Sequence, residues 1–265
     1  MKYHRFFLML LLTPLLLAGC QGQSVRSPSA KSHAPEVPAK NRESADANVQ
    51  LGMAYLQNGE LAVALEKLQK AIKYNPYSSS AHSALGMLYQ QTGELDLAEE
   101  HFRTSLKYDF NQGELHNAYG SFLCSQKRYT EAEKEMLIAA GNPYYKTPEI
   151  ALTNLGICMR QSGDAKKSED YIRQALDKNP MYSQALFQMA NLFLGRQEYA
   201  KAELYYQRYQ GKATLSAENL WLEYRIQTGL GDSRKAQIAG KGLLENFPDS
   251  RQALDYRERM LDEKK

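Results

Sequence analysis

Apolar and polar positions divide the chain into three stretches of different character. Residues 6–19 form a short, nearly unbroken apolar run behind Lys2 and Arg5, and Pro14 interrupts it. A spanning helix needs roughly 20 apolar residues; a basic start with a briefer apolar run is the pattern of a removable signal peptide, here assigned to 1–19. Residues 21–44 show no apolar periodicity and hold three of the nine prolines, so 20–44 is read as a flexible tether. Its 24 residues after Cys20 could stretch to roughly 80 Å and would relax to about 25–30 Å. From about residue 45 onward apolar residues recur at helical intervals, in paired segments separated by Gly.

The pairs repeat. Gly52, Gly86 and Gly120 lie 34 residues apart, Gly156 follows after 36 and Ala190 after 34. A second column holds Ala64, Ala98, Ala132, Ser168, Ala202 and Ala236, small in all six copies. A third holds Ala71, Ser105, Ala139 and Ala175 before giving way to Tyr209 and Leu243, and Pro76, Pro180 and Pro248 close three of the units. These columns resemble the tetratricopeptide repeat, which the first unit follows through Leu51, Gly52, Tyr55, Ala64, Leu68, Ala71 and Pro76. The expected fold is all-α, a superhelix of six helix-turn-helix units at about 45–78, 79–112, 113–148, 149–182, 183–216 and 217–250.

Local chemistry supports the same reading. Gly59, Gly93, Gly163 and Gly231 end the first helix of four units, where a left-handed cap costs least without a Cβ. Glu60, Glu94, Asp164 and Asp232 follow, acids at the positive start of the second helix. Units five and six are less regular. Gln197 replaces the turn glycine and Tyr224 sits in the small-residue column, through different packing or a slipped register. Residues 251–265 are expected to supply a terminal capping helix, with Ala253, Tyr256, Met260 and Leu261 on its buried face.

Charge removes one class of partner. The formal balance is +3, and without Lys2 and Arg5 it is 31 basic against 30 acidic residues, no excess for nucleic acid. Catalytic motifs are missing too: there is no HExxH, nucleophile elbow or phosphate loop, so the chain reads as a non-enzyme without metal or cofactor. His82 and His116 share one repeat column and read as framework residues; the Glu99/Glu100 pair reads as a solvated face.

Leu17-Ala18-Gly19-Cys20 resembles the lipobox of bacterial lipoproteins, in which the cysteine is acylated and becomes the mature N-terminus. That resemblance implies a covalent lipid on Cys20, and Gln21 in place of Asp implies sorting to the outer membrane, on its periplasmic face. In an oxidising compartment Cys124 and Cys158 either form a disulfide between units three and four or remain buried thiols, and their Cα separation decides. Tetratricopeptide arrays usually bind partners in the groove lined by the first helix of each unit. Val49, Met53, Leu56 and Met87 fall on groove columns and form the candidate partner-binding patch. Phe187, Leu194 and Trp221 form a second candidate patch, unless closure of the superhelix buries it.

The order of lipobox, tether, repeats and terminal helix, with the wording LGMAYLQNGELAVALEKLQKAI and NPYYKTP, resembles the type IV pilus biogenesis and stability lipoproteins, secretin pilotins of the PilF/PilW type. The resemblance implies a monomeric outer-membrane chaperone that binds the pilus secretin subunit and promotes its localisation and multimerisation. A general envelope scaffold or protease adaptor would share the lipobox and repeats.

Overall fold

A computed structural model describes residues 35–211 and 214–262. Cys20, the signal segment and most of the tether lie outside the described residues. Thirteen α-helices and no strands occur among the described residues. Helices α1 (Ala39–Gln57) and α2 (Leu61–Tyr74) form the first unit, α3 (Ser79–Thr92) and α4 (Leu95–Tyr108) the second, α5 (Gly113–Ser125) and α6 (Tyr129–Gly141) the third. The fourth is α7 (Pro148–Gln161) with α8 (Ala165–Lys178), the fifth α9 (Ser183–Gly195) with α10 (Tyr199–Gln210). Helices α11 (Ala217–Leu230) and α12 (Ser233–Asn246) make the sixth, and α13 (Arg251–Asp262) follows. The chain is an all-α tetratricopeptide superhelix.

The helix boundaries follow from the turn chemistry. Gly59, Gly93, Gly163 and Gly231 all adopt positive φ at the ends of α1, α3, α7 and α11. Lys127 and Gln197 take the same turn position at φ 60°, left-handed backbone that costs a side-chain-bearing residue roughly 1 kcal/mol. Asp164 and Asp232 accept hydrogen bonds from the backbone N–H of Lys167 and Lys235, capping α8 and α12. At the other end of the second helices, Asn75, Asp109, Asn142 and Asn179 each accept the N–H two residues on, closing an Asx turn into the next unit. Helix α1 begins at Ala39 rather than near 45. Pro38 stands at its start and Ala39, Lys40, Arg42 and Glu43 favour helix, but these turns bury no apolar side chain before Ala45 and so leave no periodic trace.

Each of the first four units is closed by a size-matched pair. A Cβ on Gly52 would lie 2.6 Å from Leu68, on Gly86 3.0 Å from Phe102, on Gly120 2.7 Å from Met136 and on Gly156 2.4 Å from Ile172. All four partner side chains are buried, each worth about 1.5–3 kcal/mol of apolar transfer. In unit six the sizes invert without any slip in register: Tyr224 is large on the first helix, and Gly240 on the second leaves the space that Tyr256 of α13 enters, a Cβ there lying 2.2 Å from its ring. Tyr224 and Tyr256 meet edge to face at 5.0 Å. The cap therefore locks into the last repeat by a swapped knob and hole. Among the described side chains of the cap only Ala253 and Tyr256 are buried; Met260 is 37% exposed, one turn past the contact with the last repeat, and Leu261 lies a further 100° or so off the packed face.

Successive units are stitched by glutamates in one repeat column. Glu99 accepts from Arg128, Arg103 and Tyr119; Glu133 from Lys167 and Tyr171; Glu169 from Arg196; and Glu203 from Gln227 of the following unit. Glu99 is thus no solvated-face residue. Its hydrogen bond from Arg128, joined by those from Arg103 and Tyr119, overcomes partial burial and lowers its carboxyl to about 2.

Candidate partner-binding groove

Odd-numbered helices pack backbone to backbone along the array, while even-numbered helices stand further apart and meet through long side chains, as Lys167 and Tyr171 of α8 do with Glu133 of α6. The first helices therefore form the tighter, inner layer, and their free side chains line the concave groove. One column runs along it through Met53, Met87, Ser121, Ile157, Asn191 and Arg225, half-buried as far as Asn191 and exposed at Arg225.

The first two units give this groove an apolar end. Val49 and Met53 are half-buried on the core of α1, α2 and α3, and Met87 rests on both that core and the next. Leu56 departs from the expectation. It is only 7% exposed and packs among Leu68, Leu85 and Leu88, because it lies in the last turn of α1, where the neighbouring α3 covers it. It is a core residue.

The middle of the groove is polar. Asn154 donates to the Asn117 side chain at 3.1 Å, Gln90 to Ser125 at 3.2 Å, and Ser121 to the Asn117 carbonyl. Cys124 and Cys158 form a disulfide with a Cα separation of 5.8 Å, joining α5 to α7. The bond lies under a cavity of about 180 Å³ lined by Ser121, Asn154, Ile157 and Gln161. Ile157 follows Gly156 as Met53 follows Gly52 and Met87 follows Gly86, so the glycine column carries it to the groove; the sequence reading did not take it up.

The second candidate patch is divided. Phe187 is half-buried against the Tyr209 ring, 5.2 Å away. Leu194 is 5% exposed in the core of units four and five, covered like Leu56 by the next unit. Trp221 belongs to the last core, stacked on Tyr224 and roofed by the Arg259 guanidinium of α13 at 5.4 Å. These three residues do not form one surface.

Histidines in the repeat column act as struts between paired helices. His116, fully buried, faces Glu135 at 2.6 Å and the Phe110 carbonyl at 2.8 Å. One unit earlier the same positions are His82 and His101, Nδ1 to Nδ1 at 2.9 Å, with His82 Nε2 against the Pro76 carbonyl. The carbonyl can only accept, so His82 Nε2 donates and its Nδ1 accepts from His101. Burial lowers both histidines, and His82 lowers His101 further.

An all-α solenoid of tetratricopeptide units with an apolar-to-polar inner groove is the architecture of a protein-interaction scaffold. The tetratricopeptide repeat family profile matches residues 39–79, 49–112, 83–145 and 159–217. The type IV pilus assembly protein PilF of Pseudomonas aeruginosa (strain PAO1) is 30% identical over 216 residues, 82% of this chain and 84% of that protein. A solved structure of Pseudomonas aeruginosa PilF superposes with a TM-score of 0.70 at 30% identity, covering 83% of this chain and 99% of its own. PilW, a widely conserved type IV pilus biogenesis factor, superposes at 0.69 with 29% identity, covering 78% and 96%. The chain belongs to the PilF/PilW family of type IV pilus biogenesis tetratricopeptide proteins.

Proposed function

We propose that the chain is a lipid-anchored, non-catalytic pilotin, acylated at Cys20 and held on the periplasmic face of the outer membrane, that escorts the pilus secretin. The groove of the first two units takes an apolar secretin segment, most simply one face of an amphipathic helix. The observation that carries this reading is the half-buried trio Val49, Met53 and Met87 at the tether-proximal end of a groove that is otherwise polar to its middle. Methionine adapts to irregular ligands, and partly exposed apolar side chains gain from being covered. The lipid on Cys20 would then carry the bound subunit to the membrane where it assembles.

Binding of a purified secretin domain to Met53→Glu/Met87→Glu tests the groove. Each methionine loses about 1 kcal/mol of remaining apolar burial, so affinity should fall at least about thirtyfold while the helical circular dichroism is kept. Unchanged affinity would remove the groove from the interface. Leu56→Glu is unsuited to this test, because it places a charge in the core.

A further inference from the structure

The array has two edges of opposite character. Ala45 near the start of α1, Ala71 at the end of α2 and Ala81 at the start of α3 pack together, so chain entry and every loop from a second helix to the next first helix share one edge. Four consecutive loops on that edge each present a large apolar side chain to solvent: Phe110 at 61%, Tyr144 at 85%, Met181 at 43% and Leu215 at 60% exposure. Six polar turns form the other edge: 58–60 is NGE, 93–94 GE, 126–128 QKR, 162–164 SGD, 196–198 RQE and 231–232 GD. The apolar side chains exposed beside them, Leu95 at 40% and Leu230 at 42%, are isolated at two turns and sit on the helices, not in the turns. Phe110 is held upright by an edge-to-face contact with His116, and Tyr145 is buried so that Tyr144 beside it must point outward. The four side chains lie 34, 37 and 34 residues apart, one in each loop.

We infer that this edge lies against the lipid surface, with Phe110, Tyr144, Met181 and Leu215 seated in the interfacial layer. The inference rests on acylation of Cys20 and goes beyond it, since a lipid alone sets no orientation. The route of the chain selects the occupant: α1 begins at Ala39, where the repeat register places Ala45 opposite Ser79 of α3, so it runs about 9 Å further toward this edge than its neighbour. The tether from Cys20 thus arrives on the edge that carries the apolar row. Tyr, Phe, Met and Leu are side chains that settle at headgroup depth. The exposed charges nearby are four basic, Lys73, Lys107, Lys146 and Lys178, and two acidic, Glu114 and Asp177, so apolar insertion is the main contact and anionic lipid would add to it. The array then stands on edge, leaving its groove open sideways.

The test uses the full lipidated chain in phosphatidylcholine vesicles, spin-labelled at Tyr144→Cys or Leu215→Cys, with Lys127→Cys on the opposite edge as reference. Both edge positions are exposed, so labelling spares the fold. Collisions with a water-soluble nickel chelate should be about tenfold rarer at 144 and 215 than at 127, and collisions with oxygen more frequent. Chain that floats with the vesicles but keeps 144 as chelate-accessible as 127 overturns the edge contact and leaves the anchor standing. Shielding of 144 that appears only on adding a secretin domain assigns the row to protein and also overturns it. Chain that fails to float refutes the anchor, and this orientation with it.

Discussion

Reduction of the Cys124–Cys158 bond should weaken the array at one junction, by an amount set by the length of the loop it closes. The cysteines are 34 residues apart. For a loop of that length the chain-entropy relation gives about 3.8 kcal/mol at 25 °C, most of it removed from the unfolded state. Little folded-state packing is lost, since Cys158 is fully buried and Cys124 nearly so, and free thiols remain good small hydrophobes there. With a urea dependence of about 2 kcal/mol per molar, the midpoint should drop by close to 2 M. The assay is a urea titration followed by far-ultraviolet circular dichroism, on the oxidised chain, the reduced chain and Cys124→Ala/Cys158→Ala. Hydrogen exchange should localise the loss to α5 and α7, with α1 and α11 little changed, because units of a solenoid couple mainly to their neighbours. Coincident oxidised and reduced midpoints would refute the reasoning.

Other perturbations follow from single contacts. Glu99→Gln should cost about 1–2 kcal/mol at neutral pH: a carboxyl lowered to about 2 would give more than 3, but its side chain is 27% exposed and solvent screens the pair. Because the folded group titrates below the unfolded one, this contribution is present above about pH 4.5 and fades as pH falls toward 2, so wild type and variant should converge in acid melts. The lowered His82 and His101 likewise favour the folded state above the ordinary histidine range near 6.5 and lose that benefit as pH drops below it. His101→Glu, which recreates the His116–Glu135 strut, should flatten that pH dependence in thermal melts. Lys127→Gly should raise stability by roughly 0.5–1 kcal/mol in a urea titration, by relieving positive φ. Gly156→Ala should lower it by about 1–3 kcal/mol, since its Cβ would lie 2.4 Å from Ile172 and 3.0 Å from the Ser168 carbonyl.

The repeat made the fold legible from the sequence: columns of small residues, turn glycines and helix-start acids place every helix pair before any contact is known. What the columns could not show was direction. Leu56 and Leu194 sit at positions that face the groove on an isolated helix, and only the neighbouring unit reveals them as core. The glutamate column at 99, 133, 169 and 203 escaped the sequence reading, which puts Glu99 on a solvated face, because its partners come from different positions of the next unit, Arg128 in one and Lys167 with Tyr171 in another. Inversion at Tyr224 and Gly240 looked like irregularity because a column records one side chain, while packing conserves the sum of two. The disulfide needed the Cα separation to settle it.

The escort role is tested most directly in a strain that lacks this protein and is complemented with Cys20→Ala, by measuring secretin multimers in its isolated outer membrane. If lipid on Cys20 delivers the bound subunit, multimers will be lost or displaced to another membrane while the unanchored protein still binds secretin through Met53 and Met87. Normal multimers at the outer membrane in that strain would contradict it, and would assign the repeats to a scaffold elsewhere in the envelope.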